Sequence, residues 1–315
     1  MRTAFANTLV NLATTDERIF LLMGDLGYGV LDEFADTFPQ RFINAGVAEQ
    51  NMTGVAAGLA LSGKIVFTYS IANFPTIRCL EQIRNDVCYH NANVKVVSVG
   101  AGLAYGTLGA THHGTEDIAL LRSLPNMTVV VPADPIESGL ATRAIHAKEG
   151  PCYLRLGRSG EPTIHKSEPD FVIGKAIEVR QGEDLSLIAT GGIVHNAMSA
   201  AAALAEQGLS VRVLSMHTIR PIDVDSIRNA AVETGRIVTI EEHGQIGGLG
   251  SAVEEVLVEH TDCRVAFQKL TLGNTFCHAV GSQEYLREEC SLSVKDIVKA
   301  AWNVLEGSHL KANQC

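Results

Sequence analysis

Apolar positions along this chain follow two periods that take turns. Short, nearly unbroken apolar runs at Arg18–Met23, Ile65–Tyr69, Val94–Val99, Thr128–Val131 and Tyr153–Leu156 predict strands buried on both faces. Between them, apolar residues recur at helical spacing over residues 2–13, Asn44–Gly63, Thr76–Tyr89 and Pro135–Ala147, with a short helix opened by Glu116 and Asp117. Residues 157–170 break the rhythm with two Pro, two Gly and many polar positions, which reads as a linker. The alternation then resumes. Strands are predicted at Leu185–Ala189, Val211–Leu214, Ile237–Ile240 and Val265–Lys269, and helices near 195–207, 223–233, 250–260 and 294–305. The tail from Gly307 is expected to fray.

Strands alternating with helices imply two consecutive open, mostly parallel α/β sheets. The division expected is a first domain over 1–157, a linker over 158–172 and a second domain over 173–315. Ligands of such sheets sit beyond the carboxyl ends of the strands, which directs attention to loops 24–29, 69–75, 100–114 and 132–135.

Composition narrows the function. Apolar residues make up 46% and aromatics 5%, an Ala-, Gly-, Val- and Leu-rich balance suited to covered parallel sheets. The formal net charge of −10, with Lys and Arg scattered, argues against a nucleic-acid surface and an anionic membrane surface. There is no unbroken apolar run of membrane-spanning length and no long apolar core near the N-terminus, so a cytoplasmic location is expected. The seven Cys form no Cys-x-x-Cys and read as reduced thiols, mostly filling the core.

Chemistry concentrates in few places. In Asn44–Gly63, Gly46, Gly54 and Gly58 share one helical face. An interior Gly costs a helix about 1 kcal/mol relative to Ala, so two of them suggest a face that another backbone or a flat ligand approaches closely. One carboxylate, Glu49, stands among Ala, Val, Met and Gly. Burial penalises an ionised acid, and perturbed acids cluster at functional sites; capping a backbone or pairing with a buried Arg is an equal alternative. Tyr69 and Phe74 flank a strand end, where Phe74 either stacks on a planar ring or plugs the core. His112 and His113 sit at a loop tip, able to bind a sugar oxygen or shuttle protons, or simply exposed. Adjacent His rarely ligate one metal without further spaced ligands. Arg158, after a strand end, suits phosphate or carboxylate binding. Gly247-Gly248-Leu249-Gly250 lacks a full phosphate-loop fingerprint and reads as tight helix–strand packing.

Taken together, these stretches resemble the thiamine-diphosphate enzymes of the transketolase family, as a pyrimidine-binding domain followed by a C-terminal domain. The resemblance spans about residues 3–305 and rests on Asn44-Ala45-Gly46-Val47-Ala48-Glu49-Gln50, Thr111-His112, and Glu241-Glu242-His243 followed by the Gly247–Gly250 segment. It implies that Glu49 hydrogen-bonds N1′ of the aminopyrimidine, favouring the imino tautomer that deprotonates the thiazolium. It implies that Phe74 packs on the pyrimidine, with Asp25 and Tyr69 beside the cofactor. His112 is implied near the substrate's oxygens, and His113, Arg158 and Arg78 in sugar-phosphate binding.

Two departures shape the expectation. The chain has no Gly-Asp-Gly, the family's diphosphate and Mg²⁺ motif; Gly24-Asp25-Leu26 lies in the pyrimidine unit. The resemblance therefore implies one half of a split enzyme, with thiamine diphosphate and Mg²⁺ held mainly by a separate N-terminal subunit in an α2β2 assembly. Four residues before His112, where the family carries an Asp that contacts a substrate hydroxyl, stands Leu108. A glycolaldehyde transfer from a ketose phosphate to an aldose phosphate is the leading expectation. A deoxyxylulose-phosphate synthase-like condensation, a 2-oxoacid dehydrogenase β-like subunit and a non-catalytic partner subunit are the alternatives.

Overall fold

The computed structural model describes the backbone of residues 1–312 and side chains as far as residue 307. Its first half runs α1 (Arg2–Thr15), β1 (Ile19–Met23), α2 (Asp32–Thr37), β2 (Phe42–Asn44), α3 (Glu49–Leu61), β3 (Ile65–Ile71), α4 (Leu80–Gln82), β4 (Val94–Val99), α5 (Asp117–Arg122), β5 (Thr128–Val130), α6 (Pro135–Ala147) and β6 (Cys152–Leu156). The second half runs β7 (Ile177–Arg180), β8 (Leu185–Ala189), α7 (Val194–Ala205), β9 (Val211–Ser215), β10 (Thr218–Arg220), α8 (Val224–Glu233), β11 (Arg236–Ile240), α9 (Leu249–His260), β12 (Ala266–Leu270), α10 (Gln283–Glu289) and α11 (Val294–Ala312).

Two sheets result, as the alternation predicts. The first has the order β10-β5-β6-β4-β3-β1-β2 and the second β12-β11-β8-β9-β7. Their ladders are parallel except at two edges, where β10 pairs antiparallel with β5 and β7 with β9. Every residue of β4, β6 and β8 is buried, which is why these strands read as nearly unbroken apolar runs. Phe5, Leu9 and Val10 of α1 pack with Leu21, Phe67 and Leu154 on one face of the first sheet, and Met52 and Ala56 of α3 pack with Leu22, Val66 and Val96 on the other.

Topology singles out one crevice. From β1 the chain passes to β2 on one side, and α3 then carries it back over β1 to β3 on the other. The order therefore reverses between β1 and β3, the place where open α/β sheets bind ligands. The first residue of α3 is Glu49.

The structure corrects several expectations. The helix expected over Thr76–Tyr89 is broken: a tight turn at Ile77–Cys79 leads into α4 and then a wide π-helical turn at Ile83–Cys88. The sequence pattern passes over α2, α10 and the short strands β2, β7 and β10. Residues 157–170 lack helix and strand but are tied down, with the Asp134 carboxylate accepting the N–H groups of Ile164 and His165 and the Glu137 carboxylate meeting His165 at 2.8 Å. The tail expected to fray from Gly307 instead continues α11 to Ala312, and residues 313–315, with Cys315, lie outside the described residues.

Candidate functional site

Glu49 enters the structure through the turn that opens α3. Gly46 there takes φ +72, and its N–H is held by the Asn44 side chain at 2.9 Å. This brings the Glu49 carboxylate over the ends of both strands at the crevice. Ser70 of β3 donates to Oε1 at 3.0 Å, and a Cβ at Gly24, just after β1, would lie 3.0 Å from the same oxygen. The second oxygen, Oε2, accepts from Arg78 Nη1 at 2.6 Å. Glu49 is 1% exposed and the Arg78 side chain 42%, so a buried carboxylate meets solvent only through its guanidinium partner. The structure thus realises the pair reading of Glu49, with a partner side chain that is half outside.

Phe74 and His112 complete the line. The Arg78 guanidinium carbon lies 4.5 Å from the centre of the Phe74 ring, and the His112 ring meets Phe74 edge-on at 5.3 Å. The loop carrying Phe74 and Arg78 is pinned: Ala72 takes φ +37, and its carbonyl accepts the hydroxyls of Thr76 (2.9 Å) and Ser98 (3.1 Å). Glu49, Arg78, Phe74 and His112 thus form one continuous contact chain from the buried crevice to the surface.

Other expected residues fall differently. Asp25 stands at the mouth, accepting from Asn44 (2.8 Å) and the Tyr28 hydroxyl (2.5 Å), which together hold its carboxyl below the usual range. Tyr69 does not join the cluster. Its neighbour Ser70 faces Glu49, so the pleat turns Tyr69 into the opposite core, stacked on Phe5 at 5.9 Å. The two histidines part company: His112 is half-buried on Phe74, whereas His113 is buried and lines a cavity of about 340 Å³ with His243 and Leu120. Burial pushes the His113 imidazole below its ordinary pKa. Arg158 is exposed and lies 5.2 Å over the ring of Tyr105, meeting the 100–114 loop and not His112. Leu108 is 52% exposed on the same loop.

The Glu241-Glu242-His243 segment splits into separate tasks. Glu241 accepts the N–H groups of Leu249 and Gly250, each at 2.7 Å, and so caps α9. A Cβ at Gly250 would lie 2.4 Å from Lys269 Cδ, so this glycine serves close helix–strand packing, as its context predicts. Sequence reasoning missed Ser70 and Gly24, which touch Glu49, and Glu242 with Arg155, which reach the 100–114 loop; strand alternation around Tyr69 was the one available signal for Ser70.

The cluster accepts a particular kind of group. Arg78 shows it: a planar, N–H-bearing cation bonds to Glu49 and lays its face on Phe74. A flat nitrogen heterocycle with an N–H toward the carboxylate fits the same two contacts.

Known proteins point the same way. Residues 1–162 match the family model described as "Transketolase, pyrimidine binding domain", and residues 174–297 that described as "Transketolase, C-terminal domain". The chain is 43% identical to an apulose-4-phosphate transketolase subunit of Phocaeicola vulgatus, over 82% of this chain and 84% of that protein. It is 38% identical to the 6-deoxy-6-sulfo-D-fructose transketolase subunit of Clostridium sp. (strain MSTE9), over 99% and 96%. It is 36% identical to 1-deoxy-D-xylulose-5-phosphate synthase of Desulforudis audaxviator, but covers 47% of that protein. Among solved structures, "Split gene transketolase, inactive beta4 tetramer" superposes with a TM-score of 0.87 at 39% identity over 97% of each chain.

Proposed function

We propose that this chain, which belongs to the transketolase family and is a transketolase-type subunit of a split enzyme, transfers a two-carbon unit between sugar phosphates together with a partner subunit. The observation that carries this reading is the contact chain from buried Glu49 through Arg78 and Phe74 to His112 at the switch point of the first sheet.

The family depends on thiamine diphosphate, and the residues present suit its aminopyrimidine. Glu49 would take the hydrogen bond of the ring nitrogen, Ser70 steadying its other oxygen, and Phe74 would pack against the ring face. When bound, that cofactor supplies the carbon nucleophile that holds the two-carbon unit. Arg78 must yield its place beside Glu49, and its 42% exposure leaves it free to turn outward, toward a substrate phosphate. His112, half-buried at the rim, is placed to hold or pass a proton at a substrate hydroxyl. Leu108, in place of the family's Asp, offers an apolar contact where a hydroxyl would be bonded, so the substrate is a ketose phosphate modified or shortened at that position.

The partner subunit carries the diphosphate and Mg²⁺ site, in an α2β2 assembly. Support comes from α3. Among the described residues nothing lies within 4 Å of a Cβ added at Gly46, Gly54 or Gly58, and Val47 and Leu61 are 74% and 62% exposed. The close approach implied by these glycines is left open for another chain. Among the described residues no helix is long and apolar enough to cross a membrane. The test is co-purification with a partner bearing the diphosphate-binding domain, followed by assay of two-carbon transfer from a ketose phosphate to an aldose phosphate. Transfer by the complex and not by either chain is expected. A complex that binds the cofactor yet transfers nothing would overturn the reading.

A further inference from the structure

Glu49, Ser70, Arg78, Phe74 and His112 all come from the first sheet and its loops, yet the second half of the chain grips the loop that carries His112. Residues 102–114 are closed at the neck by Gly102 and Gly114, whose backbones exchange both hydrogen bonds at 3.0 Å. Leu108, Thr111 and His112 project from this loop. The neck is held by two charged side chains. Arg155 of β6 donates to the carbonyl of Gly114 and, at 3.0 Å, to that of Glu242, while its Nε donates to the Asp117 carboxylate at 2.7 Å. Burial works to raise the Asp117 carboxyl, but Arg155, with His243 and the Tyr153 hydroxyl, outweighs it and holds it below the usual range.

From the second sheet, Glu242 follows the end of β11 and accepts the N–H of Leu103 at 3.2 Å. Approach is close: Gly102 takes φ +57, and a Cβ there would lie 2.4 Å from Glu242 Cβ. The carboxylate cannot drift. Gln283 Nε2 donates to its two oxygens at 3.1 and 2.8 Å, Arg287 Nε donates to Oε1, and Arg287 is fastened to Asn196 at 3.1 Å. The segment before α10 adds the N–H of Gly281, donated to the Gly106 carbonyl at 3.3 Å. Glu242 is 5% exposed and Arg287 8%. A buried ion pair of this kind adds little stability over an apolar replacement, whereas it fixes direction well.

We propose that Glu242 is a positioning residue: through the backbone N–H of Leu103 it sets the neck from which His112 and Leu108 reach the sugar phosphate. The second domain thereby places the substrate loop of the first. This rests on the transketolase-type reading for its kinetic consequence but not for its structural one.

The experiment compares Glu242→Leu, which keeps shape and removes the acceptor, with Glu242→Gln, which keeps one acceptor oxygen, both in the complex with the partner subunit. For Glu242→Leu, amide exchange over residues 102–114 rises about tenfold, and KM for the ketose phosphate rises by up to about 10²-fold, the cost of misplacing a binding group by an ångström. Thiamine-diphosphate affinity stays at the wild-type value, because Glu49 is held by α3 and the Phe74 loop is pinned through the Ala72 carbonyl by Thr76 and Ser98. Glu242→Gln, whose oxygen can accept from Leu103 while its NH2 faces Arg287, restores both readouts in part. If Glu242→Leu does not fold, Gln283→Ala, which loosens the carboxylate without removing it, shows the same changes at smaller size. A folded variant with unchanged exchange and KM overturns the proposal, as does a parallel loss of cofactor affinity. Failure of the wild-type complex to transfer two-carbon units sinks the functional reading alone, since loop exchange still tests the clamp.

Discussion

Glu49 shows how much one residue can disclose. Its apolar setting marks it as a carboxylate with a task, and the sequence left open whether that task is chemistry or pairing. The fold gives it a guanidinium partner with a half-exposed stem, which realises the pairing and leaves the carboxylate within reach of a ligand that displaces Arg78. Glu49→Ala in the complex should lower two-carbon transfer by about 10²–10⁴-fold, the usual worth of a placed proton-handling group. The buried Ser70 hydroxyl then loses its acceptor, so unfolding of the variant should shift by about 1–3 kcal/mol while the chain still folds; wild-type turnover would remove Glu49 from the mechanism. Arg78→Met tests the other half of the pair. It leaves Oε2 of Glu49 buried without its donor, a loss of about 1–3 kcal/mol that urea unfolding of the isolated chain would register. Phe74 was legible as a candidate because aromatic side chains are scarce here, and His112 because it stands in a His pair at a loop tip. Their contact with Arg78 was not, because it joins residues from two loops that only the sheet brings together.

At the scale of the element, α3 is the informative case. Its glycines announce a close approach, and among the described residues nothing makes one. Gly58→Ala should therefore stabilise the isolated chain by about 0.5–1 kcal/mol, the usual helix gain over Gly. Gly58→Phe should leave the chain folded by circular dichroism and abolish assembly with the partner in size-exclusion chromatography; intact assembly would move the interface elsewhere. The broken helix after β3 is the opposite case. Its apolar period continues across the wide turn, where Tyr89 N–H reaches the Arg84 carbonyl at 3.0 Å, so periodicity alone could not show the break.

At the scale of the molecule, the two sheets are stitched by strand β10, which leaves the second half to edge the first sheet. Just before it, His217 is fully buried, stacked on Phe171 of the connecting segment at 3.8 Å, and its carbonyl accepts the Val131 N–H at 2.7 Å. Burial pushes its imidazole down to about 4, against the opposing pull of Glu137 and Asp223. A folded pKa below the unfolded one means that the unfolded chain binds the extra proton first. Stability should thus fall as pH drops from about 6.5 toward 4, at up to about 1.4 kcal/mol per pH unit from this group. Denaturation midpoints across that window should show the slope, and His217→Phe should flatten it; an unchanged slope would assign the acid limb to other groups.

Two alternating α/β units, the succession of their main strands along the chain and the identity of Glu49, Phe74 and His112 as candidates were determined by the sequence alone, with Arg78 added only by the family resemblance. Apolar period and residue scarcity are local properties, and they survive in a string of letters. The turning of Tyr69 away from Glu49, the parting of His112 from His113, the crossing of β10 between sheets and the grip of Glu242 on Leu103 were decided only by the tertiary structure. Each depends on which strand ends lie side by side, and that adjacency joins residues as far apart in the chain as Leu103 and Glu242, beyond the reach of any local pattern.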